Sequence, residues 1–126
     1  MNDLKIQKWK RELYEKYNRC SLFTRSYVYI RIFTAPLFEI EKYVPKSGHI
    51  LDVGCGSGIF SNILCIMSKD RSVIGFDAST KRIELAKNTI RNGELLSFYV
   101  QDVSNVNFNS FSIITIVDLL HHISYQ

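Results

Sequence analysis

Few features place this chain outside the ordinary globular class. No apolar run approaches the ~20 residues that a spanning helix needs, so no transmembrane segment is expected. Met1 to Lys5 lack the apolar centre of a secretion signal. Cysteine occurs three times, at Cys20, Cys55 and Cys65. An odd number without C-x-x-C spacing gives neither a disulfide frame nor a zinc site, so a reducing, cytoplasmic setting and no metal are expected. No internal repeat and no low-complexity linker interrupts the chain. What remains is 126 residues with an apolar fraction of 46%, enough for one domain with a modest core.

Acidic residues are scarce at the start. Residues 1–31 carry a net charge of +5, against −1 for all that follow. Such a basic segment is either a solvated helix face or a surface for an anionic substrate, a membrane surface or nucleic acid.

The chain is organised around the stretch ILDVGCGSG, Ile50 to Gly58. Ile50 to Val53 reads as a buried strand, Gly54, Gly56 and Gly58 as a turn, and Ile59, Phe60, Ile63, Leu64 and Met67 as one helix face. Strand, glycine-rich turn and helix open a nucleotide-binding α/β unit. The helix start directs free N–H groups at whatever lies on the turn. A dinucleotide fingerprint places Gly or Ala at the sixth position of G-x-G-x-x-G; here that position is Ile59. Asp52, two residues ahead of Gly54, would repel a pyrophosphate and suits a cationic ligand held through water or the turn's backbone. Both points argue against a nicotinamide-dependent dehydrogenase.

The string resembles the first motif of class I S-adenosylmethionine-dependent methyltransferases of the small-molecule type. That cofactor carries a sulfonium and an ammonium and no phosphate. The resemblance implies an α/β Rossmann-like parallel sheet of order 3-2-1-4, helices on both faces and an N-terminal helical extension. It implies cofactor contacts at Asp52, Gly54, Cys55, Gly56 and Gly58, with Cys55 a small filler of the turn.

Ahead of the motif, Ile6, Trp9, Leu13 and Tyr17 are spaced as a helix over 3–18. A second helix is expected over 21–34, capped by Ser21, and a third from Pro36 to Val44 that Pro45 ends. In the resembled family such helices cover the cofactor cleft and help form the acceptor pocket. Tyr14, Tyr17, Arg19, Tyr27, Tyr29 and Arg31 are the candidates for that lid, or else pack the helices onto the sheet. Residues 1–46 are thus expected to form the lid or acceptor side, and 47–126 a truncated cofactor-binding domain.

Val73 to Phe76 reads as the second strand, ending in Asp77 where an α/β nucleotide site places an acid for the ribose hydroxyls. VIGFDAST resembles the family's second motif, with Ala78 beside Asp77, and Ser79 is expected to cap the next helix on Ile83, Leu85, Ala86 and Ile90. Asn92 and Gly93 read as a stop. Leu96 to Val100 reads as the third strand. Asp102 and Val103 follow where the family binds the adenine amine and a ring nitrogen, and Ser104 to Ser110 reads as a loop.

Phe111 to Val117 reads as a strand covered on both faces. The segment Asp118-Leu-Leu-His-His-Ile123 resembles the family's stretch after the fourth strand, which implies that the backbone at Asp118 lines the methionine end of the cofactor, that Leu119 touches the adenine or sulfonium region and that His122 could serve as base, since imidazole titrates near neutrality. The Asn/Asp-Pro-Pro-Tyr signature of amino-methylating nucleic-acid enzymes is absent there, so a small-molecule or lipid-like acceptor is expected and nucleic acid is not.

The family's later strands have no counterpart before Gln126, which leaves SIITIV as an apolar sheet edge. An incomplete chain is expected, or a second chain covering that edge. The alternative function is a non-catalytic cofactor-binding or partner-binding module derived from a methyltransferase.

Overall fold

The computed structural model describes residues 3–117. Helices α1 (Asp3–Glu15), α2 (Leu22–Thr34) and α3 (Leu37–Glu41) precede strand β1 (Gly48–Val53). Then come α4 (Ile59–Met67), β2 (Arg71–Asp77), α5 (Thr80–Lys87) and β3 (Leu96–Val100). Two single-turn 3-10 helices, Val103–Asn105 and Phe108–Ser110, lead into β4 (Ile113–Thr115).

The strands form one parallel sheet in the order β3-β2-β1-β4. Right-handed crossovers from β1 to β2 to β3 carry α4 and α5 to the same face. The chain then returns past β1, so the β3–β4 connection crosses the opposite face. Ile50, Val73, Leu96 and Phe98 meet the buried residues of α1 to α5 in one core. Leu51, Val53 and Phe76 face the other way, against Val106, Phe108 and Phe111. Among the described residues, this second face carries the one-turn 3-10 helices in place of α-helices.

Local chemistry sets several boundaries as the sequence implies. The Ser21 side chain accepts from Thr24 N and the Ser79 side chain from Arg82 N, capping α2 and α5. Pro36 occupies the N-cap of α3 rather than its first turn. Helix α5 stops at Lys87, short of Ile90, and Gly93 lies in the turn before β3 with φ +84°. Strand β4 pairs only over Ile113–Thr115, and Ile114 and Ile116 are about half exposed, at 44% and 49%. Among the described residues the 3-10 helices reach the face over β1 and β2 and leave these two side chains open.

Helix α3 is fixed by a buried ion pair. Arg71 Nη1 lies 2.8 Å from Glu41 Oε1, with both side chains fully buried. The guanidinium also donates to the carbonyls of Pro45, Leu64 and Val44. Buried charges persist only when paired and hydrogen-bonded in this way.

Candidate functional site

The glycine-rich turn follows β1 at the C-terminal end of the sheet, between β1 and α4. Gly54, Gly56 and Gly58 have φ of +66°, +57° and +86°, a region L side chains rarely adopt. At Gly56 a Cβ would meet nothing within 4 Å, so this peptide faces open space. At Gly58 a Cβ would lie 2.7 Å from Phe98 Cζ and 3.2 Å from Ala86 Cβ. The third glycine is thus set by packing on β3 and α5, while the second leaves room for a ligand.

Asp77 closes the site from β2. Its Oδ2 accepts from Gly56 N at 3.1 Å and its Oδ1 from Ser79 N at 2.8 Å. Asp102 accepts from Ser104 N at 3.1 Å, capping the first 3-10 helix. A hollow of about 230 Å³ brings Gly54, Asp77, Ala78, Arg82, Asp102 and Val103 together. A second, of about 400 Å³, lies on the α2 side and takes in Cys55, Gly56 and Ser57. A third, of about 590 Å³, is lined by Glu12, Arg71 and Glu94; it lies toward the opposite end of the sheet, since Arg71 begins β2.

Asp52, expected to hold the cofactor through water or the turn's backbone, lies buried near the end of β1. It is 2% exposed and accepts from Ser61 Oγ at 2.6 Å and Thr115 Oγ1 at 2.9 Å. It does not line either hollow beside the turn. The reason is strand parity: Asp52 shares the helix-side face with Ile50, where α4 and β4 offer hydroxyls to its buried oxygens. Cys55 is a buried cysteine whose Sγ would sit 2.9 Å from a Cβ at Gly75, so it fills the space beneath the turn. Asp118, Leu119 and His122 lie outside the described residues.

The support beneath the turn was not legible in the sequence. Tyr17 is fully buried, and its hydroxyl donates to the Ser57 carbonyl at 2.9 Å. Lys16 Nζ, beside it, donates to Asn62 Oδ1 at 2.8 Å and pairs with Glu94. Asn62 Nδ2 in turn donates to the Gly58 carbonyl at 2.8 Å. The segment after α1 therefore grips both ends of the Ser57–Gly58 corner. Tyr17 is a support and not a lid, whereas Tyr27 and Tyr29 remain about half exposed. Tyr17 and Ser57, and Lys16 and Asn62, are forty or more residues apart, beyond any local spacing rule. The Asn at the first turn of α4 was the only visible sign.

Among the described residues, no group of three or more His, Cys, Asp or Glu side chains is arranged for a metal ion. No helix there is long and apolar enough to cross a membrane.

A parallel sheet of this order, with a glycine-rich turn after β1 and carboxylates at the ends of β2 and β3, defines a Rossmann-like nucleoside-binding fold. The family model described as a methyltransferase domain matches residues 50–126. The chain belongs to this methyltransferase-domain family. It is 38% identical over 72 residues to a putative methyltransferase, 235L, of Invertebrate iridescent virus 6, covering 57% of this chain and 26% of that protein. It is 35% identical over 88 residues to a ubiquinone biosynthesis O-methyltransferase of Coxiella burnetii, covering 67% and 37%. The chain thus spans well under half the length of these curated relatives. A TehB-like methyltransferase of Corynebacterium glutamicum shares the fold with a TM-score of 0.58 at 20% identity, covering 81% of this chain and 56% of that one.

Proposed function

We propose that the protein transfers a methyl group from S-adenosylmethionine to a small-molecule or lipid-like acceptor. The observation that carries this reading is the Asp77 carboxylate turned onto the Gly56 amide, beside a hollow that also holds Asp102. Two carboxylates and an unobstructed glycine suit a cationic nucleoside with free ribose hydroxyls, and would repel a pyrophosphate. Ala78 and Val103 provide apolar contact for the base next to those carboxylates. When bound, the cofactor supplies the sulfonium methyl. The chain's own contribution is orientation: Asp77 fixes the sugar, Asp102 the purine edge, and the supported turn the remaining portion. Bringing two reactants into register in this way contributes about 7–11 kcal/mol in favourable cases.

In this reading residues 1–46 are the lid and acceptor side, and 47–126 the cofactor side. Asp118 and Leu119 extend the cofactor contacts and His122 is the base where the acceptor must lose a proton. Further residues or a second chain cover β4, and the basic N-terminal segment can meet a membrane surface. Three cysteines, Cys20, Cys55 and Cys65, with no disulfide among them fit a cytoplasmic setting. Calorimetric titration with S-adenosylhomocysteine tests the site: micromolar binding supports it, and binding of NAD in its stead overturns it. A methyl-transfer assay on the full-length protein then separates an enzyme from a non-catalytic binding module.

A further inference from the structure

Gly58 ends the glycine-rich turn and is the N-cap of α4, with no side-chain hydrogen bond capping the helix there. Its carbonyl accepts twice from Asn62, from the backbone N–H at 3.0 Å and from Nδ2 at 2.8 Å. The neighbours fix which way round the Asn62 amide sits. Thr89 Oγ1 donates its one proton to the Ala86 carbonyl at 2.6 Å. Toward Asn62 it can then only accept, and Nδ2 donates to it at 2.8 Å. Both Nδ2 protons are thereby committed, and Oδ1 is left facing Lys16 Nζ at 2.8 Å. Asn62 and Thr89 are fully buried and Lys16 is 5% exposed. Glu94 Oε2 balances the ammonium, while Glu94 Oε1 accepts from Arg91 N at 2.6 Å in the turn before β3. A buried charge persists only when paired and hydrogen-bonded, and Lys16 meets both conditions.

We propose that Lys16 is a positioning residue for the cofactor turn and acts through Asn62. This rests on the methyltransferase reading given above. Without the ammonium, Oδ1 would be a buried acceptor with no partner, which costs more than a hydrogen bond contributes. Rotation of the amide toward another donor relieves that cost and releases the Gly58 carbonyl. The peptide plane follows. A trans peptide points its C=O and N–H in opposite directions. Holding the Gly58 carbonyl on Asn62 therefore turns the Ile59 N–H, one of the donors without an intrahelical partner at the start of α4, away from the support. Lys16 lies within the segment read as lid and acceptor side, yet by this contact it belongs to the cofactor half.

The test is calorimetric titration of the full chain with S-adenosylhomocysteine, at a temperature where circular dichroism shows each variant folded. Lys16→Met and Asn62→Leu keep side-chain size and remove the polar contacts, and each should weaken binding about threefold or more. Because Lys16 acts through Asn62, the double variant should bind no more weakly than Asn62→Leu alone. Lys16→Gln, uncharged and one atom shorter, is the second variant should Lys16→Met not fold, and it should also weaken binding. Val44→Ala removes core volume at the Arg71 end of the sheet. It should lower the urea midpoint and leave the affinity unchanged, which separates positioning from lost stability. In the ligand-free chain, the Gly56 and Ile59 amide chemical shifts should move in the Lys16 and Asn62 variants and stay in place in Val44→Ala. Unchanged affinity in the Lys16 variants, losses that multiply in the double variant, or an equal loss in Val44→Ala overturns the proposal. Failure of the parent chain to bind S-adenosylhomocysteine overturns the methyltransferase reading and the cofactor role with it. The ligand-free amide shifts then decide separately whether Lys16 sets the turn.

Discussion

The Asp77 carboxylate bridges two peptides, taking hydrogen bonds from Gly56 N at 3.1 Å and Ser79 N at 2.8 Å. It ties the glycine-rich turn to the turn after β2, the two segments that would hold the nucleoside. A carboxylate held between backbone donors stays aimed, and charge-assisted bonds of this kind are stronger than neutral ones. Asp77→Ala should weaken S-adenosylhomocysteine binding at least tenfold, read by calorimetry. Unchanged affinity would remove Asp77 from the sugar site.

Gly58→Ala should be destabilising. The residue has φ +86° and its new Cβ would lie 2.7 Å from Phe98 Cζ. A left-handed conformation costs about 1–2 kcal/mol and overpacking typically about 1–3 kcal/mol. A loss of about 2–5 kcal/mol is expected in urea unfolding. Combining it with Phe98→Leu should give less than the sum of the single effects, since the smaller side chain relieves the overlap.

Tyr17→Phe removes one hydroxyl and leaves the ring in place. The bond to the Ser57 carbonyl should contribute about 1 kcal/mol to stability. Because that carbonyl belongs to the ligand turn, S-adenosylhomocysteine affinity should also fall, by about threefold. A stability loss without any change in affinity would limit Tyr17 to packing.

Glu41→Ala strands the Arg71 guanidinium in a fully buried site. Removing one member of a buried pair costs about 3–5 kcal/mol, so the urea midpoint should drop sharply. Glu39→Ala, which removes an exposed pair with Lys42, should shift it hardly at all.

Burial, together with the nearby Glu94 carboxylate, pushes the Cys65 thiol up to about 12 from 9.0. The thiolate is the reactive form, so at pH 8 iodoacetamide should label Cys65 at least a hundredfold more slowly in the folded chain than in urea. The linkage has a definite sign. A thiol pKa raised by folding gives stability that is complete below about pH 9 and declines as the pH rises toward 12. Alkaline unfolding should therefore begin above pH 9, followed by circular dichroism.

The glycine-rich turn and the strand-end acids were legible because their signals are local. Val53, Gly54, Gly56 and Gly58 are consecutive or nearly so, and Asp77 and Asp102 each close a short apolar run. The caps at Ser21 and Ser79 were legible for the same reason, as each bonds a backbone N–H three residues on. Asp52 was half legible. Its burial follows from its place in an apolar strand, but its partners Ser61 and Thr115 depend on which neighbours the sheet places beside it.

By itself the sequence determined the order of strands and helices and the residues at the ends of β1, β2 and β3. Periodicity, turn chemistry and capping act over a few residues, and a linear chain displays them directly. Only the tertiary structure decided that Tyr17 and Lys16 hold the turn from below, that Arg71 locks Glu41 under α3, and that Phe23 and Lys81 line one hollow. Those pairs are 30 to 58 residues apart or support partners equally distant. They meet because the right-handed crossovers stack α4 and α5 on one face of the sheet and dock the first three helices onto that same side, a geometry set by how all the apolar faces are buried at once and not by any one segment.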